Sequence, residues 1–206
     1  MTQKHSSLFQ TLTPELVLDA YRQGYFPMAH GKKGPIQFFY YEPRGILPLD
    51  ERFTIRRSLK QIIHKKTFEI RFDTAFEDVI RACSRHELQD EGIWLSEEMI
   101  AIYCELHKRG IAHSVEAWSG GKLQGGLYGL ALGSAFCGES MFSRSPFASQ
   151  AALAALAERL REKGFTLLDA QMESEHLQQF GLYTVSQNEY LVMLKEAMGK
   201  EVYFNS

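Results

Sequence analysis

Three polar side chains stand where the residue pattern calls for strands. Phe136-Cys137-Gly138-Glu139-Ser140-Met141-Phe142 reads as one such strand, and alternate residues of a strand share a face. Alternation puts Cys137, Glu139 and Met141 on one side and Phe136, Ser140 and Phe142 on the other. A carboxylate between Cys and Met on a half-buried strand is costly unless a cation meets it. Two readings follow: an internal salt bridge to Arg or Lys, or a carboxylate that holds an amine, either a substrate ammonium or a positioned nucleophile. The segment Thr166 to Gln171 supplies a second pair, since Asp169 and Gln171 are two apart and share a face. Asp169 can accept from the Gln171 amide NH2 and fix its orientation, which leaves the Gln171 carbonyl oxygen for an attacking amine. Glutamine is a poor Brønsted base, so this pair is a positioning device. The plainer alternative is that the two residues cap the following turn.

A second concentration of polar chemistry is cationic. Arg52, Arg56, Arg57, Lys60, Lys65 and Lys66 fall within fifteen residues, in a chain whose net charge is −2. Phosphate backbones are bound by such surfaces through counterion release, although a solvated helix face has the same composition. Other candidates are weaker. His107 and His113 lack metal-ligand spacing, His176 sits in a Ser-Glu-His turn, Cys137 has no local base, and Gly125-Gly126 is no phosphate loop.

The elements that must carry these residues are legible from periodicity. Thr13-Pro14-Glu15 opens a helix that Gly24 stops, and an irregular aromatic region through Phe38, Phe39, Tyr40 and Tyr41 follows. That region is either a core strand, a tucked loop or a pocket wall. A helix over about 54–66 is expected to bury Ile55, Leu59, Ile62 and Ile63. A short strand, two helices and a meander of three strands come next, over 112–118, 123–132 and 135–142. An alanine-rich helix, an apolar strand and two further helical segments finish the order. The expected class is α+β: a small N-terminal domain, 1–50, before a mixed-sheet domain, 51–206.

Composition bounds the rest. The 206 residues are 45% hydrophobic and 23% charged, enough apolar material for a core that needs no staples. The charge balance excludes a uniformly basic nucleic-acid binder. Cys83, Cys104 and Cys137 are odd in number and include no CxxC pair, which argues against a disulfide scaffold or zinc ribbon and points to a reducing, cytoplasmic compartment. The opening MTQKHSSLFQ lacks the apolar core of a signal peptide, and no run of 18 apolar residues suggests a membrane span.

YRQGYFP, EPRGILP, GIWL, AHSVEAW, GGLYG, FCGESMFS and LLDAQ occur here in the order seen in leucyl/phenylalanyl-tRNA–protein transferases. The resemblance spans roughly residues 15–195. It implies an acyl-CoA N-acyltransferase-like sheet domain and transfer of Leu, Phe or Met from aminoacyl-tRNA to the α-amino group of proteins beginning with Arg or Lys. The product would be a degradation signal. By position, Glu139, Asp169 and Gln171 match the family's polar active-site residues. Trp94, Leu127, Phe136 and Met141 match its donor side-chain pocket, and Phe39 stands where a Trp usually lies near the terminal adenosine. Arg56, Arg57, Lys60, Lys65 and Lys66 fall where the family grips the acceptor stem. The expected partners are aminoacyl-tRNA and a protein or peptide N-terminus. No membrane, metal or other cofactor is expected, because an aminoacyl ester is already activated.

Departures bear on the substrate list. Gln150 replaces a usual Lys, Gln187 a usual Arg, Tyr40-Tyr41-Glu42-Pro43-Arg44 a Ser-Pro-Asp-Pro-Arg, and a Gly-Gly-Asp-Leu stretch before the first helix is missing. Transfer to acidic N-termini is therefore one alternative, and a non-catalytic tRNA-binding module another. An acyl-CoA-dependent acetyltransferase would need a glycine-rich pyrophosphate cradle. The junction here reads Arg144-Ser145-Pro146-Phe147-Ala148-Ser149, without glycine and with one amide removed by Pro146.

Overall fold

The computed structural model describes residues 2–3, 12–29, 35–86 and 95–205. Helix α1 (Pro14–Arg22) starts as its sequence dictates, with the Thr13 side chain accepting from the Leu16 amide and Pro14 in the first turn. The aromatic region that follows is strand, not loop. β2 (Phe26–Ala29) and β3 (Ile36–Tyr40) pair antiparallel, and β1 (Thr2–Gln3) lies on the other side of β3.

The next strand, β4 (Arg44–Leu47), leaves that small sheet for a larger one. The remaining strands are β5 (Glu69–Phe72), β6 (Ala112–Ser119), β7 (Lys122–Leu132), β8 (Ala135–Ser143), β9 (Leu167–Gln171) and β10 (Tyr183–Val185). Among the described residues they form a seven-stranded mixed sheet in the order β10-β4-β9-β8-β7-β6-β5. All neighbours are antiparallel except β8 and β9. The class is α+β, as the element order implies. β4 lies ahead of residue 51 yet belongs to the larger sheet, where it pairs with β10 and β9.

Helices cover both faces. On one, α1, α3 (Phe76–His86) and α4 (Glu97–Lys108) bury Tyr21, Ile80, Tyr103 and Leu106 against Tyr128, Leu130 and Cys137. On the other, α5 (Ala148–Glu162) lays an alanine- and leucine-rich face on Val115, Leu127 and Phe136. α6 (Glu175–Gln178) is a single turn, and α7 (Gln187–Met198) packs Tyr190 and Leu194 on Ile46 and Leu167.

One helix departs from expectation. α2 runs Arg57–His64 and buries only Leu59, while Ile55 and Ile62 are half-buried and Ile63 is 43% exposed. The periodicity is that of an amphipathic helix, but α2 meets α5 and leaves an open cavity between itself and β5, lined by Ile55, Ile62, Ile63, Ile70 and Phe72, so its apolar side stays partly uncovered.

Candidate active site

The parallel pair β8 and β9 stays in register for only three residues, Ala135–Leu167, Phe136–Leu168 and Cys137–Asp169. Just beyond, each strand carries an irregularity against its other neighbour. On β8 the register with β7 steps from Gly138 to Ser140 across one residue of the partner, which makes Glu139 the extra residue. On β9 the register with β4 steps from Asp169 to Gln171, which makes Ala170 the extra one. A bulge bends its strand and re-aims side chains. Two of them side by side, at the C-terminal ends of a parallel pair, part the strands there.

The bulge at Glu139 changes the expected face assignment. Cys137 lies on the α3/α4 face and Phe136 on the α5 face, as alternation predicts. Beyond the extra residue the parity inverts: Met141 packs on the α5 side and Phe142 on the other. Glu139 therefore looks toward α1 and α4, whereas Phe136 and Met141 share the opposite face with Leu127.

Glu139 is half-buried and tightly held. The Gln171 side-chain amide donates from Nε2 to Glu139 Oε1 at 2.8 Å, and the Tyr103 hydroxyl donates to Oε2 at 3.0 Å. The Tyr21 hydroxyl lies 2.6 Å from that of Tyr103. Burial pushes the Glu139 carboxyl up to about 8, against the opposing pull of the Tyr21 and Tyr103 hydroxyls. The Asp169 charge adds to the rise, and the Arg44 charge offsets part of it.

Asp169 plays a different part from the expected one. It is fully buried, and its carboxylate receives Arg44 Nε at 2.8 Å, Arg44 Nη2 at 2.6 Å and the Tyr190 hydroxyl at 2.7 Å. Its fourth bond comes from the Gln171 backbone N–H, at 2.8 Å, and not from the side-chain amide. The amide is fixed by Glu139 instead. The reason is local: Gln171 has a left-handed backbone, φ 62°, which breaks the extended geometry that would have put both side chains on one face. The Nε2 bond to Glu139 therefore fixes the amide's orientation in place of Asp169.

Sequence reasoning alone does not single out Arg44, Tyr103, Tyr21 or Tyr190. Arg44 carries a readable signal, a cation within the apolar strand Arg44-Gly45-Ile46-Leu47, of the kind that draws attention to Glu139. Its guanidinium is fully buried, donates to the Gly24 carbonyl at 3.3 Å and lies 4.4 Å over the Tyr190 ring. Burial works to discharge it, but the Asp169 charge and hydrogen bonds outweigh that and raise its pKa. The tyrosines give no signal, since an inward tyrosine on a helix reads as core.

The other expected residues divide. Leu127 and Phe136 are buried and Met141 half-buried in one cluster on the α5 face. Trp94 lies outside the described residues. Phe39 is only 5% exposed and packs into the α1/α4-side core, while its strand neighbours Phe38 and Tyr40 are half-buried. Cys137 is buried and its thiol pushed well up by burial and the Asp169 charge, the opposite of an activated nucleophile. Arg56, Arg57, Lys60, Lys65 and Lys66 are all exposed, and no carboxylate among the described residues pairs with them. Arg52, Arg71, Arg81 and Arg109 do have acidic partners.

Comparison with known proteins bears on what such a site serves. The family model described as leucyl/phenylalanyl-tRNA protein transferase matches residues 46–195, and that of the family's N-terminal domain matches residues 10–43. The chain belongs to this family. A leucyl/phenylalanyl-tRNA–protein transferase of Akkermansia muciniphila is 50% identical over 190 residues, covering 92% of this chain and 98% of its own. One from Herpetosiphon aurantiacus is 49% identical, covering 91% and 95%, and one from Chlorobaculum tepidum 46% identical, covering 92% and 97%. A solved DUF2156 domain from Agrobacterium fabrum overlaps 90% of this chain and 63% of its own at 11% identity, with a TM-score of 0.42, too loosely to carry an argument. The chain is thus an enzyme of the aminoacyltransferase class. Among the described residues no helix is long and apolar enough to cross a membrane, and no cluster of His, Cys, Asp and Glu could hold a metal ion.

Proposed function

We propose that this enzyme moves Leu, Phe or Met from aminoacyl-tRNA to the α-amino group of cytoplasmic proteins beginning with Arg or Lys, which marks them for degradation. The observation that carries this reading is the Gln171–Glu139 bridge across the parting of β8 and β9, with polar groups on one face of the sheet and an apolar cluster on the other.

In this reading the ester carbonyl of the donor lies in the parting. Its side chain points toward Leu127, Phe136 and Met141, with the half-buried Met141 at the mouth. The acceptor's amine donates to the Gln171 carbonyl oxygen and attacks the ester carbon. A C–N bond forms, and the bond to the terminal ribose oxygen breaks. One proton of the α-ammonium must leave before attack, and a second passes from the new amide nitrogen to the departing ribose oxygen. An α-amino group has a pKa near 8. Glu139, at about 8, is matched to take that first proton. Asp169 serves as a positioning residue: buried and saturated, it fixes the Gln171 backbone and does not meet substrate.

Phe39 supports the terminal adenosine's site from beneath, and the half-buried Tyr25–Tyr40 pair, edge to face at 5.5 Å, offers the outer surface. The exposed cations of α2 hold the acceptor stem. We divide the chain into residues 1–50 and an N-acyltransferase-like unit, 51–206, with β4 as the link. An acetyltransferase reading is disfavoured at the β8–α5 junction. There the Ala148 and Ser149 amides already donate to the Ser145 carbonyl and the Ser143 hydroxyl, and so are not open to a pyrophosphate.

The test is a transfer assay with radiolabelled Leu-tRNA and Phe-tRNA and peptides beginning with Arg, Lys, Asp, Glu or Ala. Label on Arg and Lys peptides is expected. Label confined to acidic N-termini would keep the chemistry and shift the specificity toward the departures at Gln150 and Gln187. Bound tRNA with no label on any peptide would leave a binding module.

A further inference from the structure

The segment after α7 folds back over the sheet and drives one aromatic side chain into it. Phe204 is 2% exposed, and its ring stacks on Phe136 at 5.6 Å and on His113 at 4.3 Å. Phe72 and Phe165 meet it edge-on at 6.1 and 6.4 Å. The backbone around it is latched at two points. Arg159 Nε donates to the Phe204 carbonyl at 2.9 Å, and Asn205 Nδ2 donates to Asp73 Oδ2 at 2.5 Å. The same Asp73 oxygen accepts from His113 Nδ1 at 2.7 Å, so the ring that stacks on Phe204 and the amide beside it share one carboxylate. Such convergence fixes Phe204 in place more firmly than packing alone.

Phe136 is held between two boundaries. A Cβ at Gly129 would lie 2.5 Å from Phe136 Cε1, so the ring lies against bare backbone on that side and has no room to move into β7. Phe204, carried in by the segment after α7, forms the other boundary. Protein interiors are packed densely enough that the position of one ring is set by its neighbours.

We propose that Phe204 is a positioning residue that sets the depth of the apolar donor pocket through Phe136, and with it the ratio of Phe to Leu transferred. This rests on the reading that Phe136, Leu127 and Met141 receive the donor's side chain. Shortening Phe204 opens space behind Phe136, whose ring relaxes partly into it and lengthens the pocket. A benzyl group then gains over an isobutyl group. Partial relaxation delivers less than a full methylene's discrimination, on the order of a fivefold change.

The experiment sets Phe-tRNA against Leu-tRNA in competition and reads the ratio of kcat/KM for wild type, Phe204→Leu, Phe204→Ala, Phe136→Leu and Tyr203→Ala. Both Phe204 variants should move the ratio toward Phe, the alanine about fivefold and the leucine less. Tyr203, 61% exposed on the same segment, should leave it unchanged. Phe204→Leu keeps most of the buried volume and decides the matter if the alanine variant does not fold. An equal loss for both donors in folded Phe204 variants, with the ratio unmoved, overturns the proposal. If Phe136→Leu also leaves the ratio unmoved, the pocket assignment fails with it. A wild type that transfers neither donor overturns the functional reading itself.

Discussion

Glu139 sits in a strand yet has a carboxyl pKa of about 8, and the consequence for stability can be signed. Its folded pKa is raised above the unfolded value, so the native state binds the extra proton between about 4.3 and 8. That contribution is fully present below the unfolded pKa and is lost as pH rises through the folded one. Urea unfolding of the wild type should therefore show stability declining from pH 5 to pH 8.5, with a flatter profile for Glu139→Gln. If the two profiles run parallel, Glu139 is not the group that titrates. The amide can still meet Gln171 and Tyr103, so the variant should fold and bind tRNA nearly as well as wild type. Transfer should slow by roughly 10²- to 10⁴-fold, the usual contribution of a proton acceptor in the transition state. A loss of tRNA affinity in place of a loss of rate would contradict the assigned role.

Among the elements, β4 enters the larger sheet beside β9 and brings Arg44 onto Asp169, which holds the Gln171 backbone. Both side chains are fully buried, and removing one partner of such a pair strands the other's charge. Arg44→Met should cost about 3–5 kcal/mol in urea unfolding. The double variant Arg44→Met/Asp169→Leu should recover much of that loss while transfer stays impaired, because the Gln171 N–H loses its anchor. Full activity in the double variant would show that Asp169 has no positioning role. This element also marks where the sequence stops being readable. The cap of α1, the meander β6–β8 and α5 follow from local spacing, and Glu139, Asp169 and Gln171 stand out as polar residues in apolar strands. Their partners do not. β4 lies 125 residues from the carboxylate it serves, and nothing local says that an Arg in a short strand will meet that Asp. The bulge at Glu139 and the left-handed Gln171 are consequences of how three strands fit together, so alternation puts Met141 on the wrong face and gives the Gln171 amide the wrong partner.

The Glu139–Gln171 pair and the cationic surface lie on different elements, and α2 is built in a way that helix stability alone does not favour. Its N-cap is Arg56, with no side-chain hydrogen bond, its first turn begins at Arg57, and no acidic residue stands there. Cations at a helix N-terminus oppose the macrodipole and cost the helix a few tenths of a kcal/mol or more. The helix also leaves Ile63 uncovered. Arg56, Arg57, Lys60, Lys65 and Lys66 have no carboxylate partner among the described residues, and the proposed contact with the acceptor stem would offset that local cost. If α2 grips the acceptor stem, charge reversal at Arg57 and Lys60 should weaken tRNA binding strongly at low salt. It should also flatten the dependence of log K on log salt by about 0.7–0.9 for each phosphate that is no longer neutralised. Because neither side chain carries a structural ion pair, urea stability should hold or rise slightly as the helix start becomes acidic. Transfer measured at saturating tRNA should keep its kcat, since Glu139, Gln171 and their partners are untouched. A binding change that is indifferent to salt would mean that α2 meets solvent and the stem is held elsewhere.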